Sequence, residues 1–240
     1  MLKDVRSENV LFLDIETVPQ YPSYNEMPEN IRRFWNKKAN YLVKDSDTPE
    51  SIFGRSGIYA EFGRIICISA GFVVLRDGKK YFRVKSFYGD NEKDILIGFS
   101  TMLNRFGAKP KANICAHNGK EFDFPYISRR MLLNGVELPE LLDVAGKKPW
   151  DVKFLDTMEL WKFGDFKNYT SLDLLANIFE IPSPKDDIDG SQVAEVYYVQ
   201  KDVERIVTYC EKDALTVAQL FLRYKNEPII DFDCIERVLE

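Results

Sequence analysis

The dipeptide Asp77-Gly78, set between two runs rich in Val, Ile, Phe and Tyr, constrains this chain more than any other feature. A two-residue Asp-Gly turn closes an antiparallel hairpin, because both turn positions take positive φ and the turn's twist matches that of the flanking strands. Arg64 to Leu75 and Lys80 to Tyr88 are therefore predicted as paired neighbours. The rest of the chain alternates. Asn9 to Thr17 (N-V-L-F-L-D-I-E-T), Ala112 to Ala116 and Lys153 to Asp156 read as short strands. Asp90 to Phe106 places Ile95, Leu96, Phe99, Met102, Leu103 and Phe106 at helical spacing, with Gly107 as its stop. Phe122 to Leu133 is a helix ended by Asn134-Gly135, and Ser171 to Phe179, Ser191 to Tyr198 and Val203 to Tyr224 are helices that follow the last strand. Strands interleaved with helices make an α/β class, and the hairpin makes the sheet mixed. The expectation is one domain with a five-stranded sheet flanked by helices. A doubly wound dinucleotide fold is excluded, since the chain carries neither G-x-G-x-x-G nor a phosphate-binding G-x-x-x-x-G-K-[ST] loop.

Two stretches fall outside this pattern. Residues 20–62 hold Pro22, Pro28 and Pro49 and one short helix, Pro28 to Lys38, and read as an insertion over the surface; residues 226–240 are a C-terminal tail, in which Asp231 to Glu240 fit a terminal helix or a frayed end equally. Within 240 residues there are 33 Lys and Arg against 38 Asp and Glu, a net charge of −5. No run reaches the ~18 consecutive apolar residues of a membrane helix, and charges at Lys3, Asp4, Arg6 and Glu8 stand where a signal peptide needs apolar residues, so a cytoplasmic protein is expected. Cys67, Cys115, Cys210 and Cys234 form no C-x-x-C pair and read as buried free thiols. His117 is the chain's single histidine, so a His-rich zinc site is impossible and a histidine triad would rest on that residue alone. It reads as a hydrogen-bonded loop residue, and hydrolytic chemistry falls to carboxylates.

Three groups of acids stand out. Asp14-Ile15-Glu16 ends the first strand with two carboxylates on one face, a pair that can grip a divalent metal. A strand-end Asp bonding nearby amides is the alternative. Asp202-Val203-Glu204 shares the spacing, but Asp202 precedes an apolar helical stripe and reads as an N-cap. Asp123 lies between Phe122 and Phe124 just after a short strand, where helix capping is the ordinary explanation. Tyr209 and Asp213, four apart in the last helix, lie about 40° apart on one face beside Val203, Ile206, Cys210, Val217 and Phe221. A lone charge at the edge of buried surface is costly without a partner such as a metal.

The order and context of these groups resemble the tyrosine-bearing branch of the DEDD superfamily of 3′ to 5′ exonucleases. D-I-E-T, N-G-K-E-F-D-F-P-Y-I and Y-C-E-K-D are most similar to the proofreading exonuclease domain of family-B DNA polymerases, and Tyr169-Thr-Ser-Leu-Asp-Leu-Leu-Ala is similar to that family's Y-S-L-D segment. The resemblance spans residues 10 to 225 and implies a ribonuclease H-like fold and phosphodiester hydrolysis with two magnesium or manganese ions. It implies metal ligation by Asp14, Glu16, Asp123 and Asp213, with Asp14 bridging, and a water-orienting role for Tyr209. It places Thr17, Asn118 and Phe122 at the terminal nucleotide. The implied partner is a nucleic acid with a single-stranded or frayed 3′ end, DNA before RNA, met by a freestanding enzyme whose protein partners the sequence does not name. Arg32, Arg33, Lys37, Lys38, Arg129, Arg130, Lys147 and Lys148 are candidate basic contacts, and Phe122, Phe124 and Tyr126 candidate stacking residues. The rivals are an RNA-trimming exonuclease, a non-catalytic nucleic-acid-binding module of the same fold, and an unrelated metal-binding regulator.

Overall fold

A computed structural model describes residues 2–44, 46–165, 169–182 and 188–238 of the chain. Its centre is β1 (Val10–Pro19), an apolar strand buried on both faces, as expected of a strand with helices above and below. The hairpin follows the turn chemistry: Asp77 has φ 49° and Gly78 φ 77°, and β2 (Gly63–Arg76) meets β3 (Lys79–Tyr88) in a register that pairs Arg76 with Lys79. β4 (Asn113–Ala116) and β5 (Leu155–Asp156) extend the other edge in parallel.

The sheet has six strands, in the order β5-β4-β1-β2-β3-β6, where five were expected. The sixth, β6 (Ile235–Arg237), comes from the tail and lies parallel to β3, with Ile235 opposite Phe82. Three residues, two of them charged, carry too little periodicity to register as a strand. The edge is held by a fork from Arg76 to Glu236, whose second bond is 3.0 Å. Leu239 and Glu240 lie outside the described residues. Three antiparallel strands with three parallel additions and helices on both faces make this a ribonuclease H-like α/β fold.

Alternation along β1 sorts the cores. Leu11, Leu13 and Ile15 face α2 (Glu92–Gly107) and α3 (Asp123–Leu133). Val10 and Phe12 face the long helix, and Phe12 meets Phe221 edge to face at 5.3 Å. Residues 20–62 build a small core of their own. Trp35, on α1 (Glu29–Ala39), packs with Met27, Ile52 and Phe53, and its indole N–H donates to Pro49 O at 2.8 Å. The segment is tied to the frame by the Tyr126 hydroxyl, which donates to Gly57 O at 2.7 Å.

After β5 come α4 (Thr157–Lys162), α5 (Leu172–Ile178), α6 (Val193–Glu195), a π-helical turn at Val196–Gln200, and α7 (Val203–Tyr224). Asp202 caps α7 by accepting the N–H of Arg205 at 3.2 Å, as the sequence suggested. Gly107 is the last helical residue of α2 rather than its stop, since Ala108 continues in right-handed geometry. The four cysteines are buried free thiols. No helix among the described residues is long and apolar enough to cross a membrane.

Candidate active site

Asp14 and Glu16 continue the Val10 and Phe12 face of β1, so the strand's own alternation turns both carboxylates toward α7. The register with β2 shifts between Glu16 and Thr17, a bulge of the kind that re-aims side chains at a site. α7 lies across β1 and β2, and the Cys210 thiol anchors it by donating to the Asp14 carbonyl at 3.3 Å. Polar atoms of Asp14, Glu16 and Cys210 lie within 4.8 Å of one another. On either side of Cys210, Tyr209 and Asp213 bring a phenol and a further carboxylate to the same place. Asp123, 3% exposed, enters as the first residue of α3, and the N–H of Ile15 on β1 stabilises its charged form.

The electrostatics follow from this crowding. Burial, then Glu16, Asp213 and Asp123, push the Asp14 carboxyl well above its ordinary value, and burial with Asp213 does the same to Glu16. Asp123 is pushed up to about 8, burial first, with Asp156 and Asp213 contributing. Burial and the charges of Asp213, Glu16 and Asp14 raise the Tyr209 phenol, which stays a protonated donor. Four carboxylates sharing one low-dielectric site repel each other unless cations intervene. Oδ2 of Asp14 is buried and has no hydrogen-bond partner among the described residues, which disfavours the alternative of a strand-end Asp satisfied by amides. An oxygen-rich donor set with an orphaned carboxylate oxygen fits a hard divalent cation such as magnesium or manganese.

The loop that delivers Asp123 is held by a residue the sequence reading passed over as merely the end of a strand. Asp156, 3% exposed, caps α4 by accepting the N–H groups of Met158 at 2.9 Å and Glu159 at 3.2 Å. Its carboxylate also accepts those of Asn118 at 3.0 Å and Lys120 at 3.1 Å. The D-x-x-E spacing of Asp156 and Glu159 is a capping signature that could have marked it. Asn118 sits at φ 60°, which asparagine tolerates better than most residues. A Cβ on Gly119 would stand 2.5 Å from that of Ala116, so the loop closes only over glycine. His117 is the expected loop residue: its Nε2 faces Thr170 O at 2.9 Å and so carries the proton, leaving Nδ1 to accept from the Thr157 hydroxyl at 2.9 Å. Burial lowers its pKa, in keeping with a neutral ring.

Other candidates separate. Thr17 and Phe122 are half-buried, Thr17 just past the bulge and Phe122 with its ring 5.3 Å from that of Tyr126. Phe124 and Tyr126 are core residues, at 0% and 2% exposure, and are withdrawn as stacking platforms. Arg130 is withdrawn as a basic contact. It is buried, bonded through Nε to Glu92 at 2.8 Å and through Nη1 to Ala60 O at 2.8 Å. Arg129, Lys147 and Lys148 are exposed. Arg32 and Lys38 lie over the rings of Tyr24 and Tyr59, on the segment built around Trp35.

A family model described as a predicted 3′-5′ exonuclease related to the exonuclease domain of PolB matches residues 58–228. β1, with Asp14 and Glu16, lies upstream of the matched segment, so those two acids belong to the cluster by geometry. No curated protein matches the chain.

Proposed function

Because the chain belongs to the family of predicted 3′-5′ exonucleases related to the exonuclease domain of PolB, we propose that it removes nucleotides from single-stranded 3′ ends, DNA in preference to RNA, with two divalent ions held by Asp14, Glu16, Asp123 and Asp213. One observation carries this reading: four acids from β1, α3 and α7 crowd together so that burial and neighbouring carboxylates raise the pKa of Asp14, Glu16 and Asp123 around a buried Asp14 oxygen without a partner among the described residues. When bound, magnesium or manganese would supply charge neutralisation at the phosphate and an activated water.

The chain's own residues have separable tasks. Asp14 is central, since every other acid of the cluster acts on it, and it would share both ions. Glu16 and Asp213 would complete one position and Asp123 the other. The protonated Tyr209 hydroxyl, one turn before Asp213, would orient the attacking water through a hydrogen bond. Thr17, Asn118 and Phe122 would position the terminal nucleotide. Nearly complete burial of Glu16 and Asp123 keeps bulk water from screening these interactions.

The test is a time course on a 5′-labelled single-stranded DNA oligonucleotide beside matched RNA, with magnesium or manganese. A ladder shortening from the 3′ end, abolished by EDTA and by Asp14→Ala, is expected. Undiminished cleavage by Asp14→Ala would overturn the assignment, and faster shortening of the RNA would reverse the sugar preference.

A further inference from the structure

Beside the Asn118 loop lies a groove of about 520 Å³ lined by α3, the 138–154 connection and α4. The volume is within the range of sites that enclose a small ligand. Its apolar surface includes Leu132, which is 65% exposed, and the half-buried Leu138 and Phe154. Its cations are Lys120, Arg129, Lys147 and Lys162, and its acids are the exposed Glu121, Glu159 and the buried Asp156. Lys120 is paired with Glu159, whereas no carboxylate among the described residues pairs with the other three. Asp156, which also lines the groove, is 3% exposed and accepts four backbone N–H groups.

In a chain of net charge −5, a groove lined by four cations and three acids, three of the cations without a carboxylate partner among the described residues, has a small local excess of positive charge around an apolar surface. Apolar side chains that bases can cover, with cations spaced to meet a phosphate backbone, are what a single-stranded polynucleotide binds without sequence preference. The groove adjoins the loop that leads into Asp123, since Asn118, Lys120 and Glu121 line it and Phe122 and Asp123 come next in the chain. The groove past Tyr209 suits a polyanion less well, since Arg237 there is bonded to Glu211 at 2.5 Å. An acidic peptide would use the cations, but the family assignment already requires a polynucleotide to reach Asp123.

We infer that this groove binds the stretch of single-stranded nucleic acid on the 5′ side of the scissile bond, with Arg129, Lys147 and Lys162 meeting its phosphates. The inference rests on the exonuclease reading for the direction of the strand.

The experiment compares the intact protein with Arg129→Ala/Lys147→Ala/Lys162→Ala. Binding of labelled DNA and RNA oligonucleotides of about 15 nucleotides, long enough to fill such a site, is followed by fluorescence anisotropy in EDTA across a salt series. Three lost phosphate contacts lower the slope of log affinity against log salt by about 2. The ratio of kcat/KM for the long oligonucleotide to that for a dinucleotide should fall about tenfold, on the order of the salt-dependent losses such contacts carry. Should the triple variant melt early, Lys147→Ala and Lys162→Ala are read singly, each lowering the slope by about 0.7. An unchanged slope together with an unchanged length ratio would overturn the groove while leaving the exonuclease intact. A lowered slope in a protein that cleaves neither DNA nor RNA would support the groove and overturn the exonuclease reading instead. A wild-type slope near zero for both nucleic acids would overturn the groove.

Discussion

Oδ1 of Asp156 accepts the backbone N–H of Asn118 at 3.0 Å across 38 positions of sequence, and Oδ2 accepts that of Lys120 at 3.1 Å. One buried carboxylate thereby caps α4 and fixes the loop that feeds Asp123 into the acid cluster. Asp156→Ala removes four acceptor contacts at once and should cost about 2 to 4 kcal/mol, more than the loss of an ordinary cap. Asp156→Asn, which keeps one acceptor oxygen, should recover part of that loss. Urea unfolding of both variants checks the order, and equal stability of Asp156→Ala and the wild type would refute the pinning role.

Tyr209 contributes a hydroxyl and a ring, and the two are separable. Tyr209→Phe keeps the ring and should lower kcat by about 10²-fold, the low end of what a positioned proton-handling group supplies. KM and the melting temperature should hardly move, because the ring still fills its place beside Cys210. Steady-state kinetics on a labelled oligonucleotide distinguishes this from a packing role, in which stability would fall and kcat would not.

The clustered acids make metal-free stability depend on pH. Asp123 titrates at 3.8 in an unperturbed chain and at about 8 in the folded protein. Between those values the folded state binds more protons than the unfolded, so stability falls as pH rises. Asp14 and Glu16, shifted in the same direction, add to the effect. In EDTA the melting temperature should therefore decline from pH 4 toward pH 8, and stabilisation by magnesium or manganese should grow over the same window. Asp123→Asn should flatten the decline. A melting temperature independent of pH in EDTA would count against the crowded cluster.

Glu92 and Arg130 form a buried pair, with side chains 7% and 6% exposed, that also holds Ile65 N–H at 2.7 Å. Removing one partner strands the other, so Arg130→Met should destabilise by about 3 to 5 kcal/mol. If Arg130 is structural, the salt dependence of oligonucleotide binding should stay as in the wild type. A lowered salt slope in Arg130→Met would return this residue to the nucleic-acid surface.

The long-range geometry also explains what the sequence reading missed. Arg129 and Arg130 are adjacent and chemically alike, yet one is exposed and the other is buried against Glu92, 38 positions away. Helical phase decides between them, but only with α2 in place to supply the carboxylate. Phe122, Phe124 and Tyr126 likewise form one aromatic run, of which only Phe122 stays outside the core. The strand β6 was illegible because its three residues gain their pairing from β3.

The amino-acid sequence by itself determined what depends on neighbours a few positions apart. The Asp77-Gly78 turn set the hairpin register, the alternation in β1 put Asp14 and Glu16 on one face, and the spacing of Tyr209 and Asp213 put them on one side of α7. Only the tertiary structure decided how these pieces meet. It laid α7 across β1 with Cys210 against the Asp14 carbonyl, brought Asp123 in through a loop held by Asp156, and left Arg129, Lys147 and Lys162 around a groove. Those relationships join residues far apart in the chain, and packing and desolvation across such distances leave no periodic trace in the sequence.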